Sequence, residues 1–101
     1  MTSSEALRRE NEIVLNAVQA LLGLVSSDVI AVAVLVEVNR VELTFWVRCH
    51  TSEIEEDADQ ATFELDALFS GEHPMIESRI HVGEPDPANL DSYGRMIYWA
   101  K

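Results

Sequence analysis

The sequence predicts an α+β fold, a two-layer sandwich in which both helices cover one face of an antiparallel sheet. Two stretches repeat apolar residues at steps of three and four, which is the period of a helix. Four other stretches alternate or are rich in β-branched residues, as strands are. Their order along the chain is α-β-β-α-β-β. A length of 101 residues suits a single domain, residues 1–101.

The first predicted helix opens at a capping box, in which Thr2 caps the backbone and Glu5 reaches back to it. Gly23 and the polar run 26–28 mark its end. The periodicity predicts one buried face with a flanking edge. The face comprises Leu7, Val14, Val18, Leu21 and Val25, and the edge comprises Ile13, Ala17 and Leu24.

Two strands are predicted next, Val29–Val38 and Val41–His50, joined by a two-residue turn at Asn39-Arg40. With that turn, every pair on one face of the hairpin is apolar, so this face is expected to lie on the core. These pairs run from Val38 with Val41 to Ile30 with Cys49.

The second predicted helix is Ile54–Phe69, with Ser52 as its N-cap and Glu55 completing a second capping box. Ser70-Gly71 is a natural end for it. One face of the helix is an apolar stripe, which is expected to be buried. The stripe comprises Ile54, Ala58, Ala61, Leu65, Leu68 and Phe69.

The last part of the chain predicts a third strand, Met75–Val82, and a short final strand, Arg95–Ala100. Between them, Gly83–Gly94 reads as a long loop with two prolines and three acidic residues. We expect this loop to be exposed, negatively charged and partly rigid.

The formal net charge of −11 argues against a nucleic-acid partner and against an anionic membrane surface. It favours a basic partner, although many soluble proteins are simply acidic. The single cysteine, Cys49, excludes an intrachain disulfide bond. No signal peptide is recognised, and the longest apolar run, Val29–Val36, is too short to span a bilayer. A cytoplasmic protein is therefore expected.

The acidic residues are concentrated in the second helix. Between Arg48 and Arg79 there are nine Asp or Glu residues and no Lys or Arg, whereas a solvated surface usually mixes both signs. At about 100° per residue, Phe63 projects opposite the apolar stripe and into this acidic surface. An exposed aromatic ring among acids suits a basic partner. The alternatives are an ordinary solvated helix face, or a Phe63 covered by Leu90 or Tyr93.

No phosphate-binding loop, nucleophile elbow or dinucleotide fingerprint is present. Cys49 and His50 should point to opposite sheet faces, so a metal site with His73 and His81 is not expected. Nothing suggests the burial that tunes a catalytic acid, so we expect neither enzyme activity nor a cofactor.

The outer face of the predicted sheet carries aromatic residues. Trp46 lies on this face and is exposed there unless Leu35 or the last strand covers it. Tyr98 and Trp99 point to opposite faces of the last strand, so one of them must also lie on the outer face. Exposed aromatics beside basic residues would form a second partner surface or a homodimer contact. The basic residues on this face are Arg48, Arg79 and His81.

The chain resembles small bacterial immunity proteins of contact-dependent growth-inhibition and polymorphic toxin systems. The resemblance is carried by a helix leading into Leu21-Leu22-Gly23, a strand pair, an acid-rich helix after Ser52, and an aromatic, basic last strand. The segments that carry it are ALLGLVSSDVIAV, VELTFWVRCHTSEIEEDADQATFEL and SYGRMIYWAK. It implies a non-catalytic, stoichiometric inhibitor of a cognate toxin, typically a nuclease with a basic cleft.

Together, these observations predict an immunity protein that binds a basic nuclease toxin domain through an acidic surface. A dimeric secretion chaperone, holding a basic effector through the outer sheet face, is the alternative. A small enzyme or ligand-binding domain is a further one. The predicted toxin-binding residues are Glu53, Glu56, Asp59, Phe63 and Asp66 in the helix, with Glu84, Asp86, Asp91 and Tyr93 in the loop.

Overall fold

The fold is an α+β sandwich with a four-stranded sheet, as the sequence predicts. A computed structural model describes residues 3–21, 23, 27–69 and 74–100. A 3₁₀ helix, Pro87–Tyr93, occupies most of the segment predicted as an irregular loop. The other elements are α1 (Ser3–Leu21), β1 (Val29–Val36), β2 (Arg40–Val47), α2 (Ser52–Ala67), β3 (Met75–Val82) and β4 (Arg95–Trp99).

The sheet is mixed, so the prediction of a fully antiparallel sheet is wrong. Its strand order is β3-β2-β1-β4, and β1 is antiparallel to both β2 and β4. Strand β3 runs parallel to β2. The reason lies in α2, which runs back along the sheet before the chain enters β3. A strand that follows such a crossover points the same way as the strand before it.

The hairpin of β1 and β2 is shifted by two residues from the predicted register. Val36 pairs with Val41, and the Glu37 N–H donates a hydrogen bond to the Arg40 carbonyl at 2.7 Å. The turn is therefore centred on Val38-Asn39, one residue before the predicted Asn39-Arg40. Because side chains alternate with a period of two, a shift of two leaves each residue of the hairpin beside the turn on its predicted face.

An irregularity between Val29 and Ala31 changes the faces at the other end of the hairpin. Val29 enters the main core, whereas Ile30 packs on the outer face, the reverse of the prediction. Cys49 was also predicted on the core, but β2 ends at Val47 and Cys49 is exposed. Strand alternation holds only while the chain remains paired without a bulge.

The buried face of helix α1 is rotated from the one predicted, although Leu21 is buried as expected. Ile13 and Ala17, predicted at the edge, are buried, while Leu7 and Val18 are exposed. The predicted cap Thr2, as well as Leu24 and Val25, lies outside the described residues. The main core includes buried residues of α1 (Ile13, Ala17, Ala20, Leu21), of α2 (Ile54, Ala58, Ala61, Leu65) and of the central strands β1 and β2.

Helix α2 begins two residues before the predicted start, and its N-cap is Thr51 rather than Ser52. The Thr51 hydroxyl accepts a hydrogen bond from the Ile54 N–H at 3.1 Å, and Thr51 has the extended backbone of a cap. Of the predicted stripe, Leu68 and Phe69 follow the end of the helix at Ala67; Leu68 is 38% exposed, whereas Phe69 packs against the core. The predicted terminator, Ser70-Gly71, lies outside the described residues.

The outer face of the sheet has its own apolar cluster, which the 3₁₀ helix helps to cover. Ile30, Ala31, Ala33 and Trp46 are buried there, with Tyr93 and Met96 packed against them. Gly94 makes the turn from Tyr93 into β4 at a positive φ of 91°. A Cβ at this position would lie 2.2 Å from the Val34 carbonyl oxygen, so only glycine fits.

Candidate partner-binding surface

The predicted helix residues share one exposed face of α2. The apolar stripe of the helix is buried in the core, so the opposite side faces solvent. Phe63 lies at the centre of that side and is 71% exposed, which excludes the alternative that Leu90 or Tyr93 covers it. The exposed face, called the α2 acidic face below, comprises Glu53, Glu56, Asp59, Phe63 and Asp66.

The positive charges of the chain are largely committed elsewhere. Arg9 donates to the carbonyls of Glu37 and Val38, Arg48 to that of Ser27, and Arg95 to the Asn11 side chain. Arg40 and Arg79 bind carboxylates on the sheet. Since α2 itself contains no Lys or Arg, the field over its outward face is negative.

Two of the predicted loop residues are separated from the α2 acidic face by the sheet. Tyr93 packs on the outer-face cluster, and Asp91 is exposed in the same 3₁₀ helix. Asp86 caps this helix, because its Oδ1 accepts a hydrogen bond from the Ala88 N–H at 3.0 Å. Glu84 lies two residues after the end of β3, at the sheet end from which the chain also enters α2. The structure therefore does not bring Tyr93 and Asp91 together with the helix residues, and their place in a toxin interface stays a prediction.

Trp46 is buried under the 3₁₀ helix and is only 3% exposed. Its ring lies 4.9 Å from that of Tyr93, edge to face, and 5.9 Å from the His81 ring, with which it stacks. The homodimer contact predicted on the outer face of the sheet required exposed aromatic residues. Trp46 is buried within the chain, so it cannot take part in such a contact. Trp99, which pairs with Ala31 in the sheet, remains exposed.

A cluster of charged side chains joins β2 and β3, mainly through their N-terminal halves. The Arg40 guanidinium binds Glu42 at 2.8 Å, Glu77 at 2.9 Å and Glu37 at 2.7 Å. Arg79 binds the second carboxylate oxygen of Glu42 at 3.2 Å. Hydrogen bonds to Glu37 and Glu77 raise the pKa of Arg40 above its ordinary value. Glu42 is buried, and its two arginine partners compensate its charge.

Sequence reasoning missed an exposed apolar stripe on α1. Leu7 and Leu15 are 55% and 68% exposed, and Val18 is 39% exposed. The signal was present, because these three positions fall within about 80° of arc on a helix. It was obscured because α1 carries apolar residues on several sides, which leaves its buried face ambiguous. The stripe of Leu7, Leu15 and Val18 is called the α1 apolar stripe below.

The fold is that of a small α+β domain whose helical layer presents acidic and apolar side chains outward. The model of the MafI2 immunity protein family matches residues 10–101, and the chain belongs to that family. It is therefore an immunity protein, with a cognate toxin as its partner. A comparison with curated proteins found no match. Within the described ranges, no helix is long and apolar enough to cross a membrane.

Proposed function

We propose that this immunity protein neutralises its toxin by stoichiometric occlusion, with the α2 acidic face seated on a basic surface of the toxin. The observation that carries the proposal is the position of Phe63, largely exposed at the centre of a helix face that carries acids and no cation. A solvated helix face has no need of an aromatic ring at its centre. Aromatic anchors surrounded by complementary charge are characteristic of tight protein interfaces.

The roles of the two components differ. Complementary charge accelerates association, because the acids of α2 attract a basic partner over several ångströms. A ring inserted into a pocket of the toxin slows dissociation. Neither role requires a catalytic group, so the proposed action is binding alone, with one immunity protein bound to each toxin molecule.

The proposed toxin is a nuclease with a basic substrate cleft. Nucleases bind a polyanion, and the positive residues that hold phosphates also attract carboxylates. The acidic residues of α2 would therefore occupy part of the cleft and exclude the substrate. Action in the cytoplasm, where nucleic acid is accessible to such a toxin, belongs to the same proposal.

Growth rescue tests the immunity function. The C-terminal domain of the protein encoded immediately upstream is expressed alone and together with this chain. We expect the domain alone to arrest growth and the pair to grow normally. The same assay tests the surface with the triple variant Glu56→Lys, Asp59→Lys, Phe63→Ala. This variant should fold, as judged by far-UV circular dichroism, and fail to rescue growth. Rescue by this variant would refute the role of the α2 acidic face in binding the toxin.

Nuclease occlusion has its own test. The purified domain is incubated with RNA or DNA while the immunity protein is titrated from zero to excess. We expect cleavage to stop at a ratio of one to one, and a catalytically inactive domain to lose binding to its nucleic acid. If the domain bound nucleic acid equally well within the complex, inhibition would occur at an adjacent site and occlusion would be wrong.

A further inference from the structure

We infer that the α1 apolar stripe is the second half of the toxin-binding surface, and that it takes an apolar patch of the toxin beside its basic residues. This inference rests on the proposed function. Leu15 is 68% exposed, nearly as much as Phe63 at 71%. Apolar side chains that cluster at the surface, unlike scattered ones, mark interaction sites.

The two helices lie next to each other over the shared core. Both helices contribute to the same core cluster, and they contact each other. Helices packed in this way have axes about 8–10 Å apart, so their outward sides form one continuous surface. Leu15 lies on the side of α1 away from Ala17 and Ala20, as Phe63 lies on the side of α2 away from Ala61.

Charge indicates which partner covers the surface. A second copy of this chain would bring its own α2 acidic face close to the first. Each copy carries a net charge of −11, so this contact would be repulsive. A toxin with basic residues around an apolar patch matches both helices at once. The α1 apolar stripe would supply desolvated contact area, and α2 would supply charge complementarity.

The test measures affinity for the C-terminal domain encoded immediately upstream. Leu15→Gln keeps a good helix former at the position and removes the branched apolar end. We expect Leu15→Gln to weaken binding by about tenfold to a hundredfold, the range for an interface anchor. Leu15→Met should bind almost as the parent does. Met75→Gln is the matched control, because Met75 is also exposed, at 62%, but begins β3 on the sheet.

Each outcome has a definite meaning. Weaker binding of Leu15→Gln with unchanged circular dichroism, and normal binding of Met75→Gln, supports the inference. Normal binding of Leu15→Gln, alongside weakened binding of Phe63→Ala, overturns the inference and leaves the proposed function standing. If neither variant affects binding, the proposal that the α2 acidic face binds the toxin is wrong as well. A dimer in light scattering that Leu15→Gln converts to monomer would also overturn it, since a second copy would then cover the stripe.

Discussion

The ring of Tyr93 meets the ring of Trp46 edge-on, with centroids 4.9 Å apart and planes inclined at 84°. This contact fixes the 3₁₀ helix on the outer face of the sheet, together with the contact of Tyr93 to His81 at 5.7 Å. Tyr93, predicted from the sequence to face the partner, therefore has a packing function within the chain.

Tyr93→Ala should reduce stability by about 2–3 kcal/mol, because the substitution uncovers Trp46 and removes an edge-to-face aromatic pair. Urea unfolding followed by tryptophan fluorescence measures this loss. Toxin affinity should change little in the folded variant. A variant that is fully stable but binds poorly would instead place Tyr93 in the interface.

Phe63→Ala should have the opposite profile. The ring is exposed, so the free energy of unfolding should change by less than about 0.5 kcal/mol. Toxin affinity should fall by at least about tenfold. Calorimetric titration and thermal unfolding of the same preparation measure both quantities. A large loss of stability would show that Phe63 packs within the chain.

Gly94→Ala should destabilise the protein by more than about 3 kcal/mol, because the new Cβ would clash with the backbone of Val34 and Leu35 at a positive φ. Gly83→Ala is the matched control. Gly83 also has a positive φ, of 108°, but open space around it, so only the backbone cost of about 1–2 kcal/mol applies. Equal losses in urea unfolding would contradict the close approach at Gly94.

Thr51→Ala should cost about 1 kcal/mol, because it removes the hydroxyl that caps α2. Ser52→Ala should cost much less, since Ser52 lies inside the first turn. Thermal unfolding of the two variants distinguishes them. A larger loss of thermal stability from Ser52→Ala than from Thr51→Ala would show that Ser52 is the N-cap, as the sequence pattern predicts.

Arg40→Ala should destabilise the protein more than Arg79→Ala does. Arg40 bridges Glu42 and Glu77, which face each other on neighbouring strands, whereas Arg79 binds Glu42 alone. Without Arg40, two carboxylates repel across the sheet. Adding Glu77→Gln to Arg40→Ala should then recover part of the lost stability. No recovery in urea unfolding would mean that this repulsion is unimportant.

The sequence predicted α2 and its exposed face well, and α1 poorly, for one reason. In α2 the apolar residues form a single stripe between acids, so the phase of the helix, and hence the exposure of Phe63, follows directly. In α1 the apolar residues surround much of the helix, and only contacts with the strands and α2 select Ile13 and Ala17 for burial. The α1 apolar stripe was therefore hidden.

Long-range pairing explains the other differences. The pairing of β4 with β1, and the parallel pairing of β3 with β2, depend on where distant segments meet, which periodicity does not encode. The position of Tyr93 follows from β4, so its packing on the outer face of the sheet could not be predicted from the sequence. The hairpin register depended on turn chemistry, where Glu37 and Arg40 interact through backbone and side chain.

The strand order β3-β2-β1-β4 determines when, during synthesis of the chain, the central strands become covered. The hairpin at the centre of the sheet comes early in the chain, but both of its outer neighbours are synthesised after α2. Until β4 leaves the ribosome, β1 has an open edge and Trp46 lacks its cover. Such non-local pairing slows folding. The sheet is therefore completed only after the segment that forms β4 has been synthesised.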